Sequence, residues 1–139
     1  MIFDTGPLVA AMDAGDRDHQ ASAELFIDTR ERLLVPAPVV VELDWLLRSP
    51  PVHAFFDRFL AAVEEGSVEV VDLTPADYSR VRDLCQQYSG LRLGFVDAGV
   101  IAVAERLGEP TIATLDRRHF SVVRPAGGGH FNLVPAEAG

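Results

Sequence analysis

The sequence predicts an α/β domain built on a mostly parallel sheet. Short apolar runs alternate with longer segments whose apolar residues recur at helical spacing, which is typical of strand–helix–strand units. The chain has 139 residues, of which 48% are hydrophobic, as expected for one domain with one core. Because we find no linker, repeat or low-complexity tract, we expect a single domain over residues 1–139.

Five short apolar runs are the strand candidates. We expect the fifth run, which follows a flexible glycine turn at residues 127–129, to be an edge strand. In chain order, the predicted strands are Met1–Phe3, Leu33–Val35, Val68–Val71, Thr111–Thr114 and Phe131–Val134.

The helices are predicted from apolar spacing and from the residues at their ends. Prolines favour the first helical turn, and glycines such as Gly66 and Gly108 favour the position just after a helix. Thr74 and Pro75 form an N-cap followed by a first-turn proline. The predicted helices are Pro7–Met12, Asp18 to about Arg30, Pro38–Leu47, about Pro51 to Glu65, Pro75 to about Tyr88, and Phe95–Leu107.

The composition excludes several classes of function. All 12 basic residues are arginine, so there is no lysine for a Schiff base, a Walker motif or general-base catalysis. The formal charge of −9 argues against a nucleic-acid binder with a broad basic face. A single cysteine, Cys85, cannot form an intramolecular disulfide. With no membrane-spanning run and no signal-peptide pattern, we expect a cytoplasmic protein without membrane association.

Four acidic residues stand where acids are unexpected. Asp4 follows the first strand and Asp116 follows the fourth, so both lie at the strand ends where open parallel sheets bind ligands. On its helix, Glu42 lies on the same side as the apolar stripe of Val39, Leu43 and Leu46.

Asp97 belongs to an apolar helical stripe with the residues three, four and seven positions later. Burying a carboxylate without a partner is costly, and no basic residue nearby in sequence is placed to neutralise Asp97. If the four acids converge, their repulsion favours a bound cation. Oxygen ligands, with no histidine pair at metal spacing, favour Mg²⁺ or Mn²⁺ over zinc. Each acid also has an ordinary alternative, as a helix cap, a turn residue or a solvated rim residue.

Four segments resemble, in order and spacing, PIN-domain ribonucleases, and more narrowly the VapC toxins of bacterial toxin–antitoxin pairs. These segments are Asp4–Ala10, Val41–Asp44, Val96–Ala98 and Thr114–Phe120. The resemblance implies a three-layer α/β/α domain with a sheet of four to five strands and a metal-dependent endoribonuclease that uses one or two Mg²⁺ or Mn²⁺ ions.

Particular residues match functional positions of that family. The acids Asp4, Glu42 and Asp97 match its three core carboxylates, and Asp116 matches a fourth, more variable one. The resemblance further implies a cognate VapB-type antitoxin, a homodimer, larger toxin–antitoxin assemblies, and a transfer or ribosomal RNA substrate. Two hydroxyl residues match positions beside the acids, where they would orient a carboxylate or a metal-bound water: Thr5 and Thr114.

Other residues are open to two interpretations. Arg117 and Arg118 are candidate phosphate contacts, but adjacent arginines in a polar loop are often only solvated. We assign His119 to packing or a hydrogen bond. We expect the aromatic residues of two helices to pack in the core or between helices rather than stack on bases: Trp45, Phe55, Phe56 and Phe59.

Two other classes of function compete with the nuclease. A phosphatase of the haloacid-dehalogenase type needs a second aspartate two residues after the first, where this chain has Gly6. A non-catalytic module that binds RNA or an antitoxin would not need all four acids. We therefore favour the metal-dependent endoribonuclease.

Overall fold

We analysed a computed structural model, which describes residues 1–137. Its sheet has five parallel strands in the order β3-β2-β1-β4-β5. The strands are β1 (Ile2–Phe3), β2 (Leu33–Pro36), β3 (Val68–Val71), β4 (Thr111–Ala113) and β5 (Asn132–Val134). The architecture is a three-layer α/β/α sandwich, as predicted, and β5 is at an edge of the sheet.

Seven α-helices accompany the strands within this range. They are α1 (Thr5–Met12), α2 (His19–Asp28), α3 (Ala37–Leu46), α4 (His53–Glu65), α5 (Pro75–Gln87), α6 (Phe95–Leu107) and α7 (Arg117–Phe120). A 3₁₀ turn at Ser89–Leu91 precedes α6. No helix in residues 1–137 is long and apolar enough to cross a membrane.

The helix boundaries follow from the local sequence. Gly66 and Gly108 end α4 and α6 with positive φ angles of 85° and 63°, a conformation that glycine adopts without steric cost. At the start of α5, Thr74 and Asp77 form a reciprocal capping box, as the N-cap prediction for Thr74 requires.

The core lies around β1 and α6. Both residues of β1 are fully buried, and so are the residues of α6 from Ala98 to Ala104. Burial on this scale fixes the start of α6, and hence Asp97, against the centre of the sheet.

Three expectations require correction. The apolar stripe of α3 continues through Leu47, which is buried, while Leu46 is exposed. Trp45 is not packed in the core, since 69% of its surface is exposed. The segment after Asp116 is a short helix rather than a simple polar turn, because the Asp116 side chain accepts a hydrogen bond from the Arg118 backbone N–H and caps that helix.

Candidate active site

The ends of β1 and β4 place Asp4 and Thr114 side by side. The strands are parallel neighbours, and the backbone N–H of Asp4 donates to the carbonyl of Ala113 at 2.8 Å. The Thr114 hydroxyl donates to Oδ2 of Asp4 at 2.9 Å, and both residues are buried. Thr114 therefore makes the contact that a threonine orienting a carboxylate would make.

Asp97 lies in the first turn of α6, where its partner is His119 of α7. The distance from His119 Nδ1 to Asp97 Oδ2 is 2.6 Å, and the other ring nitrogen lies 3.0 Å from the carbonyl oxygen of Leu91. This contact provides the basic partner for Asp97 that sequence proximity does not reveal.

Asp116 lies between the guanidinium of Arg118 and the imidazole of His119. Its carboxylate accepts hydrogen bonds from the Arg118 backbone and guanidinium at 3.2–3.3 Å. Its Oδ2 also lies 4.0 Å from Nδ1 of His119. Asp116 is therefore both the cap of α7 and a neighbour of the Asp97–His119 pair.

All four predicted acids line one open pocket of about 650 Å³ at this edge of the sheet. Glu42 lines the pocket from α3. One ligand atom from each of three residues lies within 4.8 Å of the others, which is the tightest such grouping in residues 1–137: Asp97, Asp116 and His119.

The acids perturb one another. Burial raises the pKa of Asp4 to about 6, and the carboxylates of Asp97 and Glu42 add to this rise, although hydrogen bonds from Thr5 and Thr114 oppose it. Clustered carboxylates of raised pKa favour proton or cation binding.

The pKa values of Asp97 and Asp116 are shifted in opposite directions. Burial raises the pKa of Asp97, although the hydrogen bond and charge of His119 oppose the rise. Burial also disfavours the ionised form of Asp116, but the hydrogen bonds and charge of Arg118 outweigh burial and lower its pKa. As the pH rises, Asp116 therefore ionises before Asp4 and Asp97.

Thr5 and Arg117, two predicted site residues, do not make the contacts expected of them. The Thr5 hydroxyl is buried at the pocket and, within the described part of the chain, has no hydrogen-bond partner. Arg117 turns away from the pocket and donates to the carbonyls of Leu133 and Pro135, so the structure does not bring it to a substrate position. Only Arg118 of the arginine pair lines the pocket.

Gly6 also lines the pocket, although the sequence motifs do not single it out as a site residue. A Cβ atom at this position would lie 3.2 Å from Cβ of Leu115, so a larger residue would require the Leu115 side chain to shift by a few tenths of an ångström. The first turn of α1 therefore approaches the segment after β4 closely at Gly6.

The donor set suits a hard divalent cation. Four carboxylates supply oxygen ligands, and Mg²⁺ and Mn²⁺ prefer oxygen over sulfur. The imidazole of His119 is engaged through both nitrogens, so in this arrangement it is a partner of Asp97 rather than a free ligand.

Comparisons with known proteins identify the family of the chain. A family model described as the PIN domain matches residues 1–124. The chain is 37% identical over 138 residues to Ribonuclease VapC26 of Mycobacterium tuberculosis, which covers 97% of this chain and 100% of that protein.

Two solved structures share the fold. One is VapC20 of Mycobacterium tuberculosis, a sarcin–ricin loop cleaving toxin, with a TM-score of 0.75 and 22% identity over 84% of this chain and 91% of that one. The other is VapBC2 of Rickettsia felis bound to a DNA fragment from their promoter, with a TM-score of 0.65 and 17% identity over 96% of this chain and 97% of that one.

Together, the parallel sheet and the pocket at its strand ends define an α/β domain with a cluster of carboxylates at one edge of the sheet. The chain belongs to the PIN-domain family and, within it, to the VapC proteins.

Proposed function

We propose that this chain is the toxin of a toxin–antitoxin pair and hydrolyses phosphodiester bonds in structured RNA with Mg²⁺ or Mn²⁺. The observation that supports this most strongly is the convergence of four acids, distant in sequence, in one pocket. The 37% identity to a protein named as a ribonuclease supports the same chemistry.

The acids Asp4, Glu42, Asp97 and Asp116 would hold one or two ions. When bound, such an ion lowers the pKa of a water and stabilises the charge that develops on the phosphodiester. Thr114 holds the carboxylate of Asp4 in place from below the pocket.

Arg118 is the residue that we assign to the substrate phosphate. Its side chain is 84% exposed at the rim of the pocket, and among residues 1–137 its ion-pair partner is Asp116. A forked guanidinium donates two hydrogen bonds to a phosphate, so it can contact the RNA without leaving the rim.

The acidic surface does not contradict an RNA substrate. Five of the 21 acids, the four candidate ligands and Asp16, line the pocket together with Arg118, a net charge of −5 + 1 = −4, so the rest of the protein carries −9 + 4 = −5. Bound divalent ions would neutralise the pocket. We therefore expect few phosphate contacts and a shallow dependence of RNA affinity on salt.

Incubation of the purified chain with total bacterial RNA tests the proposal. We expect specific cleavage with Mn²⁺ that disappears with EDTA and in the Asp4→Ala and Asp97→Asn variants. Equal cleavage by wild type and variants would indicate a contaminating nuclease. Sequencing the 5′ ends of the fragments would identify the RNA and distinguish a transfer RNA from a ribosomal RNA target.

We also propose a VapB-type antitoxin as the partner, because a carboxylate pocket attracts a cationic side chain. Adding the protein encoded beside this gene should abolish cleavage. A non-catalytic binding module is the competing function. For such a module, Mn²⁺ would not change the melting temperature, and the neighbouring protein would still bind.

An exposed apolar surface beside the pocket supports the proposed homodimer. We call it the α3 face. It comprises four residues, with the exposed fraction of each in brackets: Val41 (70%), Trp45 (69%), Tyr78 (53%) and Phe95 (47%). The rings of Tyr78 and Phe95 are 6.0 Å apart, and Phe95, Trp45 and Val41 line one groove, so the surface is continuous.

The area of the α3 face suits a second copy of the chain. At about 150–250 Å² per aromatic side chain, its three aromatic residues expose roughly 250–420 Å². A homodimer interface takes about 800 Å² from each partner, of which about 65%, or roughly 500 Å², is apolar. The α3 face therefore supplies most of the apolar area that a dimer needs.

Sedimentation velocity tests this assignment. Trp45→Asp should convert the dimer to a monomer. Ile27→Asp changes a residue that is 78% exposed on α2, away from the α3 face, and should leave the dimer intact. A wild-type protein that is monomeric at micromolar concentration would contradict the proposal.

A further inference from the structure

We infer that His119 is a positioning residue that fixes the carboxylate of Asp97 for cation binding, an inference that rests on the proposed function. The imidazole is clamped on both sides and is only 17% exposed. Turning the ring would break both of its hydrogen bonds, so the ring is held in one orientation.

The chemistry of the two partners assigns the roles of the ring nitrogens. A backbone carbonyl can only accept a hydrogen bond, so Nε2 carries a hydrogen toward Leu91 at 3.0 Å. Nδ1 donates to the ionised carboxylate of Asp97, with Oδ2 2.6 Å away, when it too carries a hydrogen, as it does in the imidazolium form of the ring. The Nε2 edge of the ring therefore contacts the backbone, and the Nδ1 edge contacts the Asp97 carboxylate.

The contact leaves part of the Asp97 carboxylate free. Oδ2 is bound to His119, while Oδ1 has no hydrogen-bond donor among residues 1–137. Asp4 is held in a similar way, because the Thr114 hydroxyl donates to its Oδ2 atom. Two acids on different elements are therefore each held through one oxygen, an arrangement that orients ligands without consuming them.

His119 is placed by packing rather than by the pocket. The next residue, Phe120, is fully buried and anchors α7 to the core. Leu91 is the last residue of the 3₁₀ turn before α6. Its hydrogen bond with the imidazole of His119 therefore links this turn to α7. A direct ligand role would require His119 to release one of these bonds.

Two conservative substitutions separate the two bonds. The amide nitrogen of asparagine stands near the position of Nδ1, and that of glutamine near Nε2. His119→Asn therefore keeps the bond to Asp97 and loses that to Leu91, whereas His119→Gln does the reverse. Each variant removes one of the two hydrogen bonds of the ring and keeps the other.

Mn²⁺ binding without RNA, measured by electron paramagnetic resonance, is the primary readout. We expect His119→Gln to weaken Mn²⁺ binding by about 10–100-fold and His119→Asn to bind like wild type, because residues that support metal ligands have effects of this size. Melting temperatures measured beside the binding curves show that both variants are folded. In cleavage assays, His119→Gln should lower kcat at saturating RNA with little change in KM.

Other outcomes overturn the inference. Equal loss of Mn²⁺ binding in both variants would make His119 a direct ligand, and normal binding in both would make it a purely structural residue. A wild type that binds Mn²⁺ but cleaves no RNA would contradict the proposed function and leave the role of His119 standing. A wild type that binds no Mn²⁺ would overturn both.

Discussion

Replacing Asp4 by asparagine should stabilise the metal-free protein at neutral pH, although it removes a candidate metal ligand. Burial, reinforced by the nearby carboxylates, raises the pKa of Asp4 from 3.8 to about 6. The folded protein therefore holds this proton more tightly than the unfolded chain does. Asparagine keeps an oxygen that can accept from Thr114 but carries no charge.

The sign and size follow from linkage. Below pH 3.8 both states are protonated and Asp4 has no effect; as the pH rises toward about 6, the unfolded chain ionises first and stability falls. Above that range the cost is constant at about 3 kcal/mol, and it is about half as large at pH 5. For a domain of this size, this corresponds to a change of roughly 10 °C in melting temperature.

Urea unfolding in EDTA at pH 4, 5 and 7 measures this effect. Asp4→Asn should exceed wild type in the free energy of unfolding by about 3 kcal/mol at pH 7, with the difference shrinking toward pH 4. Asp57→Asn, at an exposed position of α4, makes the same change in charge and should have little effect. A variant less stable than wild type at pH 7, or a difference independent of pH, would refute the reasoning.

Three further predictions concern the pocket and its surroundings. Thr114→Val should lower cleavage about 10–100-fold because Asp4 loses its hydroxyl donor, and Thr114→Ser should restore most of it; steady-state kinetics decide. Arg117→Met should cost about 1–3 kcal/mol in stability by freeing tail carbonyls, with kcat/KM unchanged, while Arg118→Met should raise KM without lowering the melting temperature. Mn²⁺ at one hundred times its Kd should stabilise wild type by about 2.7 kcal/mol, and thermal scans of Asp97→Asn should show no such gain.

The fold was predictable because its signals are local. Prolines and glycines mark helix ends, and short apolar runs mark the buried parallel strands. The convergence of Asp4 and Asp116 followed from the rule that parallel strand ends meet at one edge. What failed was the register of α3, where Leu47 rather than Leu46 completes the buried stripe. Trp45 follows Val39 by six residues, a rotation of about 240°, so it points away from the buried stripe and into solvent.

The partners within the site depended on contacts that sequence spacing does not encode. His119 reaches Asp97 across 22 positions because the buried Phe120 fixes α7, and no periodicity links the two helices. Arg117 and Arg118 are adjacent, yet one binds the tail and the other lines the pocket. In a short helix, successive side chains point about 100° apart, so neighbours in sequence face different surroundings.

The central claim is that the carboxylate pocket holds a divalent cation that is required to cleave RNA. Its most direct test is a single-turnover cleavage rate measured against Mn²⁺ concentration, beside the Mn²⁺ binding curve of the same protein without RNA. We expect the cleavage rate and the Mn²⁺ occupancy to rise together, and we expect Asp97→Asn to lose both. Cleavage that persists in EDTA, or that is unchanged in Asp97→Asn, would contradict it.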